Sequence, residues 1–398
     1  MSPALRYLEL ARRTLEAVRR DAPYLAGMGA QMAELLLDGG AISAPRAGAF
    51  WSSEFCGRAG SLMGVSSPGD AASAKDVAFF DLPDPRRPNP ARSEVLKGLA
   101  RGLVRLFAIG RREDLEASVP ASRVSAFTGG AGPDEGLFGV QGVRPLVALR
   151  HLDQLVRGWV TAGEMIAACT RAGRMPVIWM SVWLEGALVR NAHFIRHDNL
   201  REPWSPPLFH DRVYVPPLAE GYAAEAFLDA AEGIAAALER QAEALAACGE
   251  WMAEAVRSHR RAFVVAVGHS YPAILDIPQG ARYPVEWGAS VSDLSKAVPR
   301  SLGEGDVVLH LGYGPVDVRD ADGVIRRGIR LVHTSPYGCP PELRGRKGFL
   351  WFDLPWRPGD ASVDVPGYSV RILPMSSTAH TLAYQAVLCE LAERLGLQ

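Results

Sequence analysis

The chain has 398 residues, and its 43 Lys+Arg against 44 Asp+Glu leave a formal net charge of −1. With 48% hydrophobic and 22% charged residues, the composition is that of an ordinary globular protein. It excludes dominant disorder and allows a large core without disulfides or structural metals. A protein that neutralises nucleic-acid phosphates carries a basic excess, which is absent here, so no nucleic-acid partner is expected.

The length suggests two domains. Cys56, Cys169, Cys248, Cys339 and Cys389 are scattered, odd in number and form no CxxC pair. That argues against a disulfide framework and a zinc site, and a cytoplasmic location is expected. His193, His197 and His210 lack metal-ligand spacing, so neither a metal nor a cofactor is expected. The first residues are charged throughout and read as an amphipathic helix rather than a leader. The longest apolar run, 175–184, is too short to cross a bilayer, so no membrane partner is expected.

In chain order, a helical pattern covers 5–37 with an interruption at 21–23, and Gly39-Gly40 ends it. Residues 41–44 read as a first strand. The Pro-rich stretch 81–90 is a loop, 93–105 is helical, and 103–109 continues as a strand. Residues 119–145 are Gly-rich and read as a surface excursion. Residues 162–172 form a helix closed by Gly173. The apolar run 176–180 behind it is expected to be a buried strand of a parallel sheet. A second Pro-rich stretch, 202–217, marks the boundary between domains 1–215 and 216–398. Residues 219–259 are helical, broken at Gly233 and Gly249. Strands follow at 263–267, 306–311, 328–335 and 349–354, and a last helix at 376–395. The alternation defines an α/β fold with mostly parallel sheet.

Both halves open on helical material and later show a helix–Gly–strand unit. The clearest internal match pairs 171–181 (RAGRMPVIWMS) with 326–335 (RRGIRLVHTS). Repetition over that distance indicates domain duplication and an intramolecular pseudo-dimer, with a homodimer of chains as a further arrangement.

Three segments can carry chemistry. Gly268-His269-Ser270 follows the strand 263–267, where parallel sheets bind ligands; it is either an anion site or a tight turn. Ser376, Ser377 and Thr378 open the last helix, as an anion site or as N-caps. Glu54 and Arg58 are four apart; Arg58 can hold a phosphate or carboxylate and Glu54 can transfer a proton, or the two form a helix ion pair. His310 and His333 lie in strands as core histidines. His380 and Glu390 lie on the last helix as solvated groups, Glu164 near a helix start as a dipole partner, and Glu286 beside Trp287 as a base or surface charge.

In their order along the chain, these segments resemble the SIS (sugar isomerase) domain family. The matching pieces are the strand ending in GHS, the strand 306–311 ending at Gly312, the strand 331–335, and 374–378 opening the last helix. In the first half, 54–65 (EFCGRAGSLMGV) and 163–181 resemble the same family more distantly. The resemblance implies two flavodoxin-like (SIS-type) domains, each a parallel sheet sandwiched by helices. It implies a sugar phosphate bound by Gly268, Ser270, Gly312, Ser376, Ser377, Thr378, Glu54 and Arg58. The sequence departs from the family at 312–317 (GYGPVD), where a Ser-rich loop is expected, and at 46–48 (RAG), where GHS is expected.

The function implied is phosphosugar binding, with aldose–ketose isomerisation as the reaction. Its proton-transfer candidates are His269, Glu286, His310 and His380. The alternative is a non-catalytic sugar-phosphate sensor or regulatory subunit, which the altered loop favours. A Rossmann-type nucleotide-sugar enzyme would need a fingerprint that is missing.

Overall fold

The computed structural model describes residues 1–47, 50–66, 73–83, 90–116, 119–130, 136–138, 147–196, 206–268, 285–288 and 293–397. His269 and Ser270 lie outside them. The first half runs α1 (Pro3–Leu37), β1 (Ile42–Ser43), α2 (Trp51–Phe55), β2 (Val65–Ser66), β3 (Val77–Asp81), α3 (Pro90–Arg101), β4 (Arg105–Ile109), α4 (Arg112–Glu116) and β5 (Val124–Thr128). A hairpin, β6 (Gly136–Leu137) and β7 (Val147–Ala148), leads to α5 (Arg150–Arg171) and α6 (Ala187–Arg196). The second half has α7 (Tyr222–Glu239), α8 (Ala242–Arg257), β8 (Ala262–Ala266), β9 (Glu286–Trp287), α9 (Leu294–Ala297), β10 (Val307–Leu311), α10 (Val318–Arg326), β11 (Arg330–Ser335) and β12 (Phe349–Asp353). Another hairpin, β13 (Ala361–Val363) and β14 (Ile372–Pro374), leads to α11 (Ser376–Arg394).

Among the described residues two five-stranded sheets result, and every pairing within them is parallel. Their orders are β2-β1-β3-β4-β5 and β9-β8-β10-β11-β12. Counted within its own half, each is 2-1-3-4-5, the flavodoxin-like order. The strands are apolar on both faces because helices cover both. Val77 and Phe79 face the central core while Ala78 and Phe80 face an outer one, as a period of two requires. The same split separates Val264 and Leu309 from Phe263 and Val308. One central core joins the inner faces of both sheets through α1, α5, α7, α8 and α11, so the halves share a hydrophobic interior.

Several expectations are corrected. Helix α1 runs unbroken through Pro23, because its flanks pack on α5, α7 and α11 and outweigh the loss of one backbone bond. The break in 219–259 falls at Arg240-Gln241; Gly233 and Gly249 sit inside helices, Gly249 where α8 meets Glu390 of α11. Residues 176–180 join neither parallel sheet. They run antiparallel to 61–63 and to 208–210, with Met63 N donating to Val177 O at 2.8 Å and Val177 N to Leu208 O at 2.9 Å. The match of 171–181 with 326–335 therefore pairs unlike places: 326–335 ends α10 and forms β11, whereas 171–181 follows α5. By position α5 corresponds to α11, each one residue behind a short hairpin.

Helices α1 and α5 of the first half cross closely where a small residue allows it. A Cβ on Gly29 of α1 would lie 2.6 Å from Met165 N of α5, while one on exposed Gly27 meets nothing within 4 Å. Gly27→Ala is expected to raise stability by about 0.5–1 kcal/mol through helix propensity. Gly29→Ala is expected to lower it by about 1–3 kcal/mol through overpacking, both read by urea unfolding. Equal effects at the two positions would refute the close crossing.

Candidate functional site

Ligands of open parallel sheets bind beyond the carboxyl ends of the strands, at the point where strand order reverses. In this protein the two such places differ. Over the first sheet, α5 lays large polar side chains on the strand ends. Arg150 donates to Leu82 O and Pro83 O at 3.0 and 3.2 Å and pairs with Asp114 at 2.8 Å. Gln154 donates to Leu82 O and Ile109 O at 3.4 and 3.3 Å. Arg157 reaches Thr128 Oγ1 at 3.0 Å and is held by Asp153. The ends of β3, β4 and β5 are thus bound by the protein's own cations and amide.

Over the second sheet, α11 presents small groups at the same positions. Ser376 stands where α5 has Arg150, and His380 where it has Gln154. Buried His380 donates from Nε2 to Gly312 O, 2.9 Å away, just past β10. Gly268 lies past β8 and the Tyr313 ring faces it. Tyr313 Oη is 3.2 Å from Ser181 Oγ of the first half, and its ring lies against Trp183, with centroids 5.7 Å apart.

The first half reaches this place through α2. Asp81, at the end of β3, accepts from Phe50 N and Trp51 N at 3.1 and 3.2 Å and so seats the start of α2. Trp51 packs on Phe55, Phe79 and Trp159, in space that only a glycine at 158 leaves open. Glu54 is thereby fixed at the boundary between halves. Arg58, beyond the helix end, is 2% exposed and donates five hydrogen bonds. Nη1 bonds Glu54 and, at 2.5 Å, Ser377 Oγ. Nη2 bonds Ser376 Oγ at 2.7 Å and Asp360 Oδ2 at 3.2 Å, and Nε bonds the same Asp360 oxygen at 3.3 Å. Ser377 donates in turn to Glu54 Oε1 at 2.7 Å. The Glu54–Arg58 pair is therefore a buried link between halves rather than a surface helix pair.

Ser376 and Ser377 do not cap α11. Asp360 does, accepting from Met375 N at 3.1 Å and Ser376 N at 2.7 Å. To aim its carboxylate there Asp360 holds φ at +72°, a left-handed conformation that Asp tolerates better than most residues. A carboxylate of the protein thus occupies the start of the helix where a ligand anion was expected.

One guanidinium faces two buried carboxylates. Burial raises Glu54 from 4.5 to about 7, and Asp360 adds to the rise against the opposing pull of Arg58 and Ser377. Burial lowers His380 from 6.5 to about 4, so its imidazole is neutral and its Nε2 carries the proton given to Gly312 O.

The structure thus gathers Glu54, Arg58, Ser376 and Ser377 in one hydrogen-bonded cluster, with His380 and Gly312 joined beside it. Thr378 is fully buried one position on. His310 bonds His333, whose ring abuts Gly312. Glu286 stands apart, exposed on β9 and paired with Arg261. Glu390 and Glu164 are buried caps: Glu390 accepts from Ala4 N at 3.0 Å at the start of α1, and Glu164, inside α5, from Gly221 N and Ala224 N of α7 at 2.9 and 3.0 Å. Sequence reasoning missed Asp360, Tyr313 and Ser181. Only the Gly359-Asp360 pair carried a signal, as a turn.

No family model matches the chain, and no curated protein matches it. Among solved structures it is similar to a candidate phosphosugar isomerase from Silicibacter pomeroyi DSS-3, with 12% identity, 100% of this chain and 99% of that one covered, and a TM-score of 0.46. It is also similar to a candidate sugar binding protein from Salmonella typhimurium LT2, with 11% identity, 99% and 97% covered, and a TM-score of 0.43.

Removing the Asp360 carboxylate leaves Arg58 Nε and the first α11 amide, Ser376 N, without their acceptor, while Met375 N keeps the Asp360 carbonyl at 3.0 Å. Asp360→Ala is expected to cost about 3–5 kcal/mol and Asp360→Asn less, measured by urea unfolding. The pH dependence separates the two titrating groups. Glu54 binds its proton more tightly folded than unfolded, so its contribution is full below about 4.5 and lost as pH rises to about 7. His380 is the reverse: its contribution is full above 6.5 and lost as pH falls to about 4. Relative to wild type, Glu54→Gln should gain roughly 3 kcal/mol between pH 4.5 and 8, at about 1.4 kcal/mol per pKa unit. A flat difference across that range would show that Glu54 is already ionised at pH 5.

Proposed function

We propose that the chain is a tandem SIS-type protein whose halves, 1–215 and 216–398, arose by internal duplication, and that it binds one sugar phosphate at the carboxyl end of the second sheet. The observation that carries this reading is the difference between α5 and α11. Where the first helix covers its strand ends with Arg150, Gln154 and Arg157, the second has Ser376, Ser377 and His380 at its start, His380 against Gly312. The shared strand order supports the duplication. One half has kept a ligand place and the other supports it, contributing Glu54, Arg58 and Ser181.

The reaction this arrangement supports is aldose–ketose isomerisation. A proton must leave one carbon and return to its neighbour, which needs a group that both takes and gives it near neutral pH. Glu54 at about 7 meets that requirement. A substrate carbon reaches it by replacing the Ser377 hydroxyl. The phosphate goes to the segment after β8, at Gly268 and Ser270, because Asp360 already holds the first amide of α11. Glu286, exposed and paired with Arg261, serves structure and not the central proton transfer.

A second reading, a non-catalytic sugar-phosphate sensor or regulatory subunit, is favoured by one observation: all five N–H groups of Arg58 are directed at protein acceptors. A thermal-shift screen with fructose 6-phosphate, glucosamine 6-phosphate and sedoheptulose 7-phosphate, with sulfate as control, tests both. Stabilisation with turnover that Glu54→Gln lowers at least 100-fold, binding retained, is the expected result. Stabilisation without turnover selects the sensor. If no sugar phosphate shifts the melting temperature beyond sulfate, both readings fall.

A further inference from the structure

His310 and His333 are register partners on β10 and β11, and Trp351 on β12 is the next partner in the same row. The His310 and His333 rings are 4.7 Å apart, and their Nδ1 atoms are 2.8 Å apart. His333 also stacks on Trp351, with centroids 5.1 Å apart and planes at 28°. This fixes the His333 ring on both sides and uses one of its nitrogens. The other, Nε2, is buried and has no hydrogen-bond partner among the described residues. Buried polar atoms are seldom left so, and an unpaired one calls for a water or a ligand atom.

The orphan atom is not in the middle of the sheet. A Cβ on Gly312 would lie 2.6 Å from His333 Cε1 and 2.7 Å from His333 Nε2. The free edge of the ring therefore comes up beneath Gly312, the residue just past β10 whose carbonyl His380 holds. Glycine there lets the ring edge pack directly beneath the strand-end backbone, at the end of the sheet where the sugar phosphate is placed above.

We propose that His333 is a ligand-binding residue whose Nε2 hydrogen-bonds a hydroxyl of the sugar, not its phosphate. This rests on the reading given under Proposed function. Burial, with His310 and His380 nearby, keeps His333 uncharged by lowering its pKa well below the ordinary value. A neutral imidazole offers a phosphate dianion no charge in return for its desolvation. A hydroxyl both donates and accepts, so it fits Nε2 in either tautomer. The tautomer is set by His310: when His310 Nδ1–H donates, His333 Nε2 carries the proton, and when His333 donates, Nε2 is the acceptor.

The experiment is calorimetric titration of the full chain with fructose 6-phosphate and, separately, inorganic phosphate. His333→Leu is expected to weaken fructose 6-phosphate binding at least tenfold and His333→Gln less, with phosphate binding unchanged for both. A structural role alone would lower the ligand-free melting temperature and leave affinity intact. Wild-type affinity in His333→Leu overturns the proposal and assigns Nε2 to a water. Equal loss for phosphate also overturns it. Should His333→Leu not fold, ¹⁵N-histidine NMR of wild type decides: the His333 Nε2 signal moves with fructose 6-phosphate but not with phosphate, and an unmoved signal in the saturated protein overturns the proposal. Absence of fructose 6-phosphate binding by wild type is a separate outcome, which removes the reading beneath it as well.

Discussion

The Arg58 guanidinium is held from both halves at once, and the site is organised around that fact. Its own half supplies Glu54 and the other supplies Asp360, Ser376 and Ser377. A buried ion pair is weak evidence for stability, because desolvation offsets most of the attraction. What it does provide is registry. An arginine with five directed donors fits one arrangement of acceptors, and misplacing either half leaves a buried charge unpaired. The same constraint sets the chemistry. Burial, with a smaller push from Asp360 and against the pull of Arg58, raises Glu54 to about 7, so it binds a proton near neutral pH.

Two sheets of identical strand order meet across one core, yet their strand ends have different fates. The first and fifth residues of α5 are Arg150 and Gln154; those of α11 are Ser376 and His380. Long cationic side chains satisfy the carbonyls of one sheet and fill the space beyond them. Small hydroxyls and an imidazole leave the other to be shaped by Asp360, Tyr313 and the turn at Ser181. The two strand ends thus play unequal roles although the topology repeats.

Much of the fold was legible. Short Gly-bounded apolar runs marked β4, β8, β10, β11 and β12, since a strand covered on both faces has few alternatives in composition. Residues 176–180 have the same composition and join no sheet, because an apolar run records burial and not its pairing partner. Pro23 misled for the opposite reason: a local breaker yields when both flanks of a long helix are packed. In the site, Glu54, Arg58, Ser376 and Ser377 were each visible as chemistry-bearing residues, but the contacts joining Glu54 and Arg58 to the two serines span more than 300 positions. No local pattern encodes such a contact.

The sequence by itself determined the α/β class, the order of most strands and helices, and the residue types available at the strand ends, since these follow from periodicity, burial and turn chemistry over a few neighbours. Only the tertiary structure decided that Arg58 is enclosed within the protein, that Asp360 occupies the start of α11, that one sheet end is covered and the other lined by small groups, and that His333 keeps an unpaired nitrogen under Gly312. Those outcomes depend on which distant groups share a buried space, and on how charge and hydrogen bonds balance once water has left it.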